Sequence, residues 1–294
     1  MKAWKAIMSV WLGGIKMVKL LSANFSRLWK DKVFWLEMFV MLVYAVVVVF
    51  AMNKSVQATP EQMRGNFKLD NYYFNFALSI GAFCALFTSL FFGTEHGDGT
   101  LRNKIVMGHT RTTIYLSNLL VSFSATLFIM MVWLIGLMVG IPVLGFFRMS
   151  VGNLILYLII AVLFTAAFSA IFTFIAMMSS NKTTSVVISG VLFFGLLLLS
   201  SYFYNALAEP EMTNHVYVTA NGLDMGEPVP NPNYVSGFKR TVYDFLLDLL
   251  STGQAIRMAF LEIVHPLRMI LSSIIITIFV TACGIALFRK KDLN

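Results

Sequence analysis

The feature that most constrains this chain is the length of its apolar runs. An α-helix needs about 20 residues to cross the hydrocarbon core of a bilayer. Six runs reach that length: Val33–Met52, Tyr72–Gly93, Thr113–Val139, Gly152–Met178, Ser185–Tyr204 and Leu267–Phe288. With 58% of residues apolar and 12% charged, the chain falls outside the composition of soluble globular domains. Short alternating strands are lacking, which argues against a β-barrel. The expected fold is an all-α integral membrane protein, with residues 1–294 forming a single transmembrane domain.

Charge sets the expected topology. The net charge of +8 comes from Lys2, Lys5, Lys16, Lys19, Arg27, Lys30 and Lys32 before the first run, and Arg289, Lys290 and Lys291 after the last. Between runs five and six, seven acids (Glu209, Glu211, Asp224, Glu227, Asp244, Asp248 and Glu262) face three bases. The excess of Lys and Arg on cytoplasmic segments then places both termini in the cytoplasm and residues 205–265 outside, in a plasma or inner membrane. Membrane topology explains the basic balance, and no nucleic-acid partner is expected. Cys84 and Cys283 lie inside apolar runs and read as free thiols.

Residues 1–30 read as an interfacial helix: Trp4, Ile7, Met8, Trp11, Ile15, Val18 and Leu21–Phe25 recur at helical spacing beside Lys5, Lys16 and Lys19. Glu37, about a turn inside the first run, is expected to snorkel or pair with a basic side chain. Gly136 and Gly140 form a small-xxx-small step suited to close helix packing or to a dimer seam, and Pro142 then stops or kinks that helix. Residues Asn205–Lys239 read as irregular. Beyond them, Thr241-Val-Tyr-Asp244 and Ser251-Thr-Gly-Gln254 have the form of two capping boxes. They predict two short helices broken near Gly253 and Gln254, an external hairpin that either lies on the surface or re-enters the membrane. Asp244 and Asp248 share one face of the first helix, where a solvated face is the expectation.

The segment 94–112, between runs two and three, concentrates charge and helix signals. Asp98 or Thr100 can cap a helix of about two turns from Leu101 to Met107, and Gly108 can end it in a left-handed conformation. So short a helix is unstable alone. Leu101 and Ile105 share a face, with Arg102 and Lys104 pointing elsewhere. A short helix between membrane spans that shows apolar and charged groups to water is suited to being gripped by another protein; lipid phosphates are the other candidate for its basic residues.

The sequence has no Gly-x-x-x-x-Gly-Lys-Ser/Thr, Gly-x-Ser-x-Gly, His-Glu-x-x-His or Cys-x-x-Cys. His96, His109, His215 and His265 are scattered over loops, so no metal site is expected. The inner parts of spans two to six carry no Asp, Glu, Lys, Arg or His, which points to an energy input from outside the bilayer.

The order of elements resembles the membrane subunit of type-2 ABC exporters. The resemblance rests on the basic N-terminal helix, on Glu95-His-Gly-Asp-Gly-Thr-Leu-Arg-Asn-Lys104, and on the broken helical pair before the last span. It implies that Glu95, Asp98, Gly99, Thr100, Leu101, Arg102, Asn103, Lys104 and Ile105 form the coupling helix. Leu101 and Ile105 would fill a groove of a separate ATPase subunit, with Glu95 and Arg102 forming charge-assisted contacts to it. It also implies a second permease copy, identical or similar, and ATP and Mg on the partner subunit with no cofactor on this chain. The chain would then be a transport subunit and not an enzyme, exporting a peptide, antibiotic or amphipathic compound and contacting membrane lipid. Two rivals remain: a non-transporting scaffold or sensor that recruits a cytoplasmic partner, and a lipid-acting enzyme using Asp244 and Asp248 as metal ligands or as acid and base.

Overall fold

A computed structural model describes residues 17–66, 68–219 and 222–292. Most of the expected interfacial helix, including Trp4 to Ile15, lies outside the described residues. From residue 17 to residue 28 the chain is helical (α1), and it buries Leu20, Asn24 and Leu28 at i, i+4 and i+8. Asp31 then caps α2 (Lys32–Ala58), its carboxylate accepting from the amides of Val33 and Phe34.

A 3₁₀ turn (Glu61–Asn66) and the single turn α3 (Asp70–Tyr73) lead into α4 (Ala77–Gly97). Next come α5 (Thr100–Val106), α6 (Arg111–Met138), the short α7 (Ile141–Leu144), α8 (Val151–Met178) and α9 (Lys182–Ala208). Side-chain oxygens of Thr110, Ser150 and Asn181 accept from the first-turn amides of α6, α8 and α9. These satisfy donors that a helix start otherwise leaves unpaired. Among the described residues, six helical stretches are long and apolar enough to cross a membrane: α2, α3–α4, α6, α8, α9 and α12 (Pro266–Lys290).

The bundle is built around α4, which packs on α8, α9, α6 and α2. An aromatic-rich core of Phe74, Phe76, Trp133, Phe164, Phe168 and Phe193 fills the half nearer α7. A second group, around Phe34, Phe87, Phe91 and Phe92, fills the half nearer α5. Outward faces of α2, α9 and α12 carry Phe39, Val47, Val191, Leu198, Ile275 and Phe279, all exposed. Exposed apolar surface at this density matches a hydrocarbon solvent.

Gly136 and Gly140 pack inside the chain. A methyl group at Gly136 would lie 2.8 Å from Ala45 Cβ, and one at Gly140 would lie 3.3 Å from Val49 Cγ2. These glycines let the C-terminal end of α6 and the turn after it approach α2 within the chain. Glu37 also departs from expectation. It sits on the buried stripe of α2 with Phe34, Met41 and Ala45, and neither carboxylate oxygen has a hydrogen-bond partner.

The 205–239 stretch is not irregular throughout. Helix α9 continues to Ala208, and β1 (Met212–Thr219) pairs antiparallel with β2 (Gly222–Pro230) from Met212↔Pro230 to Thr219↔Gly222, with a bulge between Asn214 and Val216. Helix α10 (Gly237–Leu249) starts after Ser236, so Thr241 lies inside the helix and caps nothing. The chain breaks at Leu250, and α11 (Ser251–Ala259) follows with no side-chain cap. Gly253 is needed at this corner because a Cβ there would meet Leu247 O at 2.3 Å.

Every residue of α11 is buried, against α4, α8 and α9. Thr252 Oγ1 lies 2.7 Å from Ser200 Oγ. Ser200 is two turns before the end of α9, about 12 Å along its axis. The hairpin therefore reaches into the bundle. Gln254 holds it there, donating to Asp248 O and Met269 O while its Oε1 accepts from Ser273.

Candidate functional site

On the side where α4 meets α5, one carboxylate organises four helices. The chain turns at Asp98–Gly99, where Gly99 takes φ +65 and serves as the residue before α5 without any side-chain cap. Neither Asp98 nor Thr100 caps the helix; Thr100 Oγ1 instead donates to Glu95 O at 3.1 Å. Gly108, at φ +82, terminates α5, with amides 108 and 109 returning to Ile105 O and Lys104 O. That left-handed glycine turn satisfies carbonyls the helix end leaves open.

Glu95, at the end of α4, is almost fully buried. Its Oε1 receives Lys104 Nζ of α5 at 2.6 Å and Arg27 Nη1 of α1 at 2.5 Å, while Oε2 accepts from Asn118 Nδ2 of α6 at 3.1 Å. Asn24 closes the ring: its Oδ1 accepts from Lys104 Nζ at 3.1 Å, and its Nδ2 donates to Ser117 Oγ and Asn118 Oδ1. Arg27 also donates to Thr94 Oγ1 and Phe91 O and lies 4.1 Å from the Phe91 ring centroid. Burial lowers the Lys104 amine below its ordinary pKa, Glu95 works against that shift, and Arg27 adds to it. Two cations around one buried anion keep the group compensated, which a buried charge requires.

This geometry revises the expected roles. Glu95 faces inward and makes its charged contacts within the chain, so it is not a contact for a partner. Leu101 is 2% exposed and packs with Leu20, Ile114, Tyr115, Met177 and Phe288, with Ile105 against the same group. The apolar face of α5 is therefore filled by α1, α6, α8 and α12. What α5 turns outward is Arg102 and Asn103, then Val106 (85% exposed) and Met107 (75%). Arg27, Asn24 and Asn118 were not singled out in the sequence; a lone Asn in the apolar stripe of α1 and another in span three were the available signals. Arg111, opening α6, donates to the carbonyls of Phe288, Arg289 and Lys291, which ties the end of α12 to the same corner.

At the opposite end of the bundle, Asp244 and Asp248 meet two guanidiniums. Arg257 of α11 lies 2.5 Å from Asp244 Oδ1 and 3.1 Å from Asp248 Oδ1. Arg268 of α12 lies 3.0 Å from Asp244 Oδ2 and 3.2 Å from Asp248 Oδ2. The two contacts to Asp248 lack hydrogen-bond alignment. Asp248 is fully buried, so the expected solvated face is not what forms. Burial pushes Asp248 above its ordinary pKa despite both arginines. Burial also acts to raise Asp244, but Arg257 and Arg268 hold it below the ordinary carboxylate value. His265 Nε2 lies 3.5 Å from Asp244 Oδ2, and ligand atoms of Asp244, Asp248 and His265 all lie within 4.8 Å of one another. A divalent cation there would sit against two arginines already bound to both carboxylates, so this donor set suits a structural clamp of α10, α11 and α12 rather than a metal.

In comparison with protein families, residues 20–196, more than half of the chain, fit the family described as ABC-2 family transporter protein. Comparison with curated proteins gives no match. The matched residues run from α1 to the middle of α9 and include the whole Glu95 corner. With six helices able to cross a membrane, the chain belongs to the ABC-2 transporter family as a multi-pass membrane subunit.

Proposed function

We propose that this chain is the transmembrane subunit of an ATP-driven exporter, powered by a separate ATPase subunit that carries ATP and Mg and grips the outward side of α5. The observation that carries this reading is the Glu95–Lys104 pair. It makes α5 part of one block with α1, α4 and α6. A displacement of α5 cannot be absorbed by a slack loop, because Leu101 is also wedged against α6, α8 and α12. Buried charges and packed side chains move together or not at all. The partner would meet Arg102, Asn103, Val106 and Met107, a mixed apolar and cationic surface of the kind that docks in a groove.

In this reading α5 and both termini lie in the cytoplasm, in agreement with the basic ends of the chain. The β-hairpin lies outside, and the α10–α11 pair enters the bundle from that side. Two such subunits, identical or similar, would enclose the path for an amphipathic compound, a peptide or an antibiotic.

The test is to solubilise the protein gently from its native membrane, identify what co-purifies, and assay vanadate-sensitive ATP hydrolysis and substrate movement in proteoliposomes. A stoichiometric P-loop ATPase, lost when Val106 and Met107 are replaced, is the expected result. A chain that purifies alone and moves nothing would overturn the reading in favour of a scaffold.

A further inference from the structure

A cavity of about 740 Å³ opens at the end of the bundle opposite α5, between the last turn of α9, the start of α10, the α11–α12 link and the start of α12. Its volume suits a small-molecule group or a lipid headgroup. Its charged lining is Arg240, Arg257, Arg268, Asp244 and Glu262, with His265 beside them. Arg257 and Arg268 are already neutralised by Asp244 and the adjacent Asp248. Glu262 lies beside the Tyr204 side chain on the cavity wall. Arg240 is different. Its Nη2 donates to Leu207 O at 3.0 Å and its Nη1 approaches Val235 O at 3.4 Å, and it makes no ion pair among the described residues. These carbonyls, with the Tyr234 ring 5.2 Å away, fix the plane of the guanidinium without cancelling its charge. A guanidinium has five N–H donors in a planar fork suited to phosphate.

Depth identifies the occupant. The cavity is lined by Leu207 and Ala208 at the end of α9 and by Arg268 in the first turn of α12, so it lies where two spans leave the hydrocarbon. Apolar side chains stand exposed beside it: Phe238 (84%), Val264 (62%) and Leu267 (74%). A fixed cation at the span ends, next to bare apolar surface, presents both halves of an amphiphile site.

We propose that this cavity binds the phosphate headgroup of an anionic phospholipid, with Arg240 as its anchoring cation and His265 on the cavity wall as a second donor. The glycerol and upper acyl carbons lie along Val264 and Leu267. The site takes its assignment to the outer leaflet from the orientation proposed above, but the binding itself requires neither the ATPase nor transport.

The experiment is native mass spectrometry of the full chain in detergent, without ATPase or nucleotide, titrated with phosphatidylglycerol, phosphatidylcholine or glycerol phosphate. Phosphatidylglycerol should bind at least tenfold tighter than phosphatidylcholine. Arg240→Gln should erase that preference, Arg240→Lys should retain most of it, and Lys54→Gln, a basic change elsewhere, should leave it intact. Should Arg240→Gln fail to fold, Thr241→Glu places an anion in the cavity wall while keeping the Arg240 carbonyl contacts, and it should erase the preference equally. An unchanged preference in Arg240→Gln or in folded Thr241→Glu overturns the site. Displacement of phosphatidylglycerol by equimolar glycerol phosphate would assign the cavity to a soluble phosphate compound and overturn the lipid assignment.

Discussion

Lys104 Nζ and Glu95 Oε1 lie 2.6 Å apart across the Gly97–Gly99 corner, so the ion pair clasps α5 back onto the end of the span that precedes it. Because Arg27 contacts the same oxygen, the two ends of this arrangement differ in consequence. Glu95→Ala strands two cations and should lower stability by about 3–5 kcal/mol, the range for removing one partner of a buried pair. Lys104→Met leaves Arg27 and Asn118 on the carboxylate and should cost clearly less. Denaturant unfolding of the detergent-solubilised variants measures both; equal losses would mean that Arg27 contributes nothing in the absence of Lys104.

If α5 is the proposed docking helix, its two faces separate coupling from folding. Val106→Asp and Met107→Asp lie on the outward side and should leave the unfolding temperature within a degree or two of the parent while abolishing stimulation of the partner ATPase. Leu101→Asp buries a carboxylate among Leu20, Ile114, Tyr115, Met177 and Phe288 and should unfold the corner outright. Solubilised yield and ATPase stimulation, measured together, check this. A well-folded Leu101→Asp would contradict the inward placement of α5.

The spans and the end of α5 were readable from the chain because run length and Gly108 each carry a local signal, but the starts of α5, α10 and α11 were not, since the expected side-chain caps do not form there. The orientation of α5 was not readable. Leu101 and Ile105 at i, i+4 define a shared face, but periodicity does not say whether that face meets a partner or the same chain. The answer lay in Asn24, Glu95 and Asn118, three polar residues far apart in sequence that only tertiary packing joins. The β-hairpin was missed because only β1 holds a run of β-formers, residues 216–219, whereas β2 carries two glycines and two prolines. Asp244 and Asp248 were placed correctly on one helix face, but their arginine partners come from α11 and α12, beyond the reach of any spacing rule.

Acid should act on the α10 clamp with a definite sign. Asp244 is held below its ordinary value of 3.8 in the fold. It therefore binds fewer protons folded than unfolded, and its stabilisation, full above the unfolded pKa, is lost as pH falls through the folded one. Asp248 is shifted upward, so its contribution is present below 3.8 and lost as pH rises through its folded value. Asp244→Asn should flatten the acid-side loss of stability, and Asp248→Asn should remove the opposing slope at higher pH. Unfolding temperatures over roughly pH 3–6 read both; identical profiles for the two variants would show that the carboxylates titrate as one unit.

Tyr115 of α6 occupies a notch on α12 that exists only because residue 284 has no side chain. A methyl group at Gly284 would lie 2.0 Å from Tyr115 Oη and 2.4 Å from Cζ. The ring cannot step aside, since it is fully buried in the cluster that also holds Leu101 and Phe288. Gly284→Ala should therefore cost about 1–3 kcal/mol, as overpacking of a filled core does. Gly190 and Gly195 on α9 face open space, and alanine at either should be neutral or mildly stabilising. Tyr115→Leu opens the notch, so the double variant Gly284→Ala/Tyr115→Leu should lose less than the two single losses combined. Non-additivity of that sign, measured by denaturant unfolding, would show that Gly284 serves to admit Tyr115. Because this notch adjoins Leu101, Gly284→Ala should also weaken ATPase stimulation although it lies outside the proposed docking face; strictly additive losses with normal stimulation would detach α12 from the proposed coupling corner.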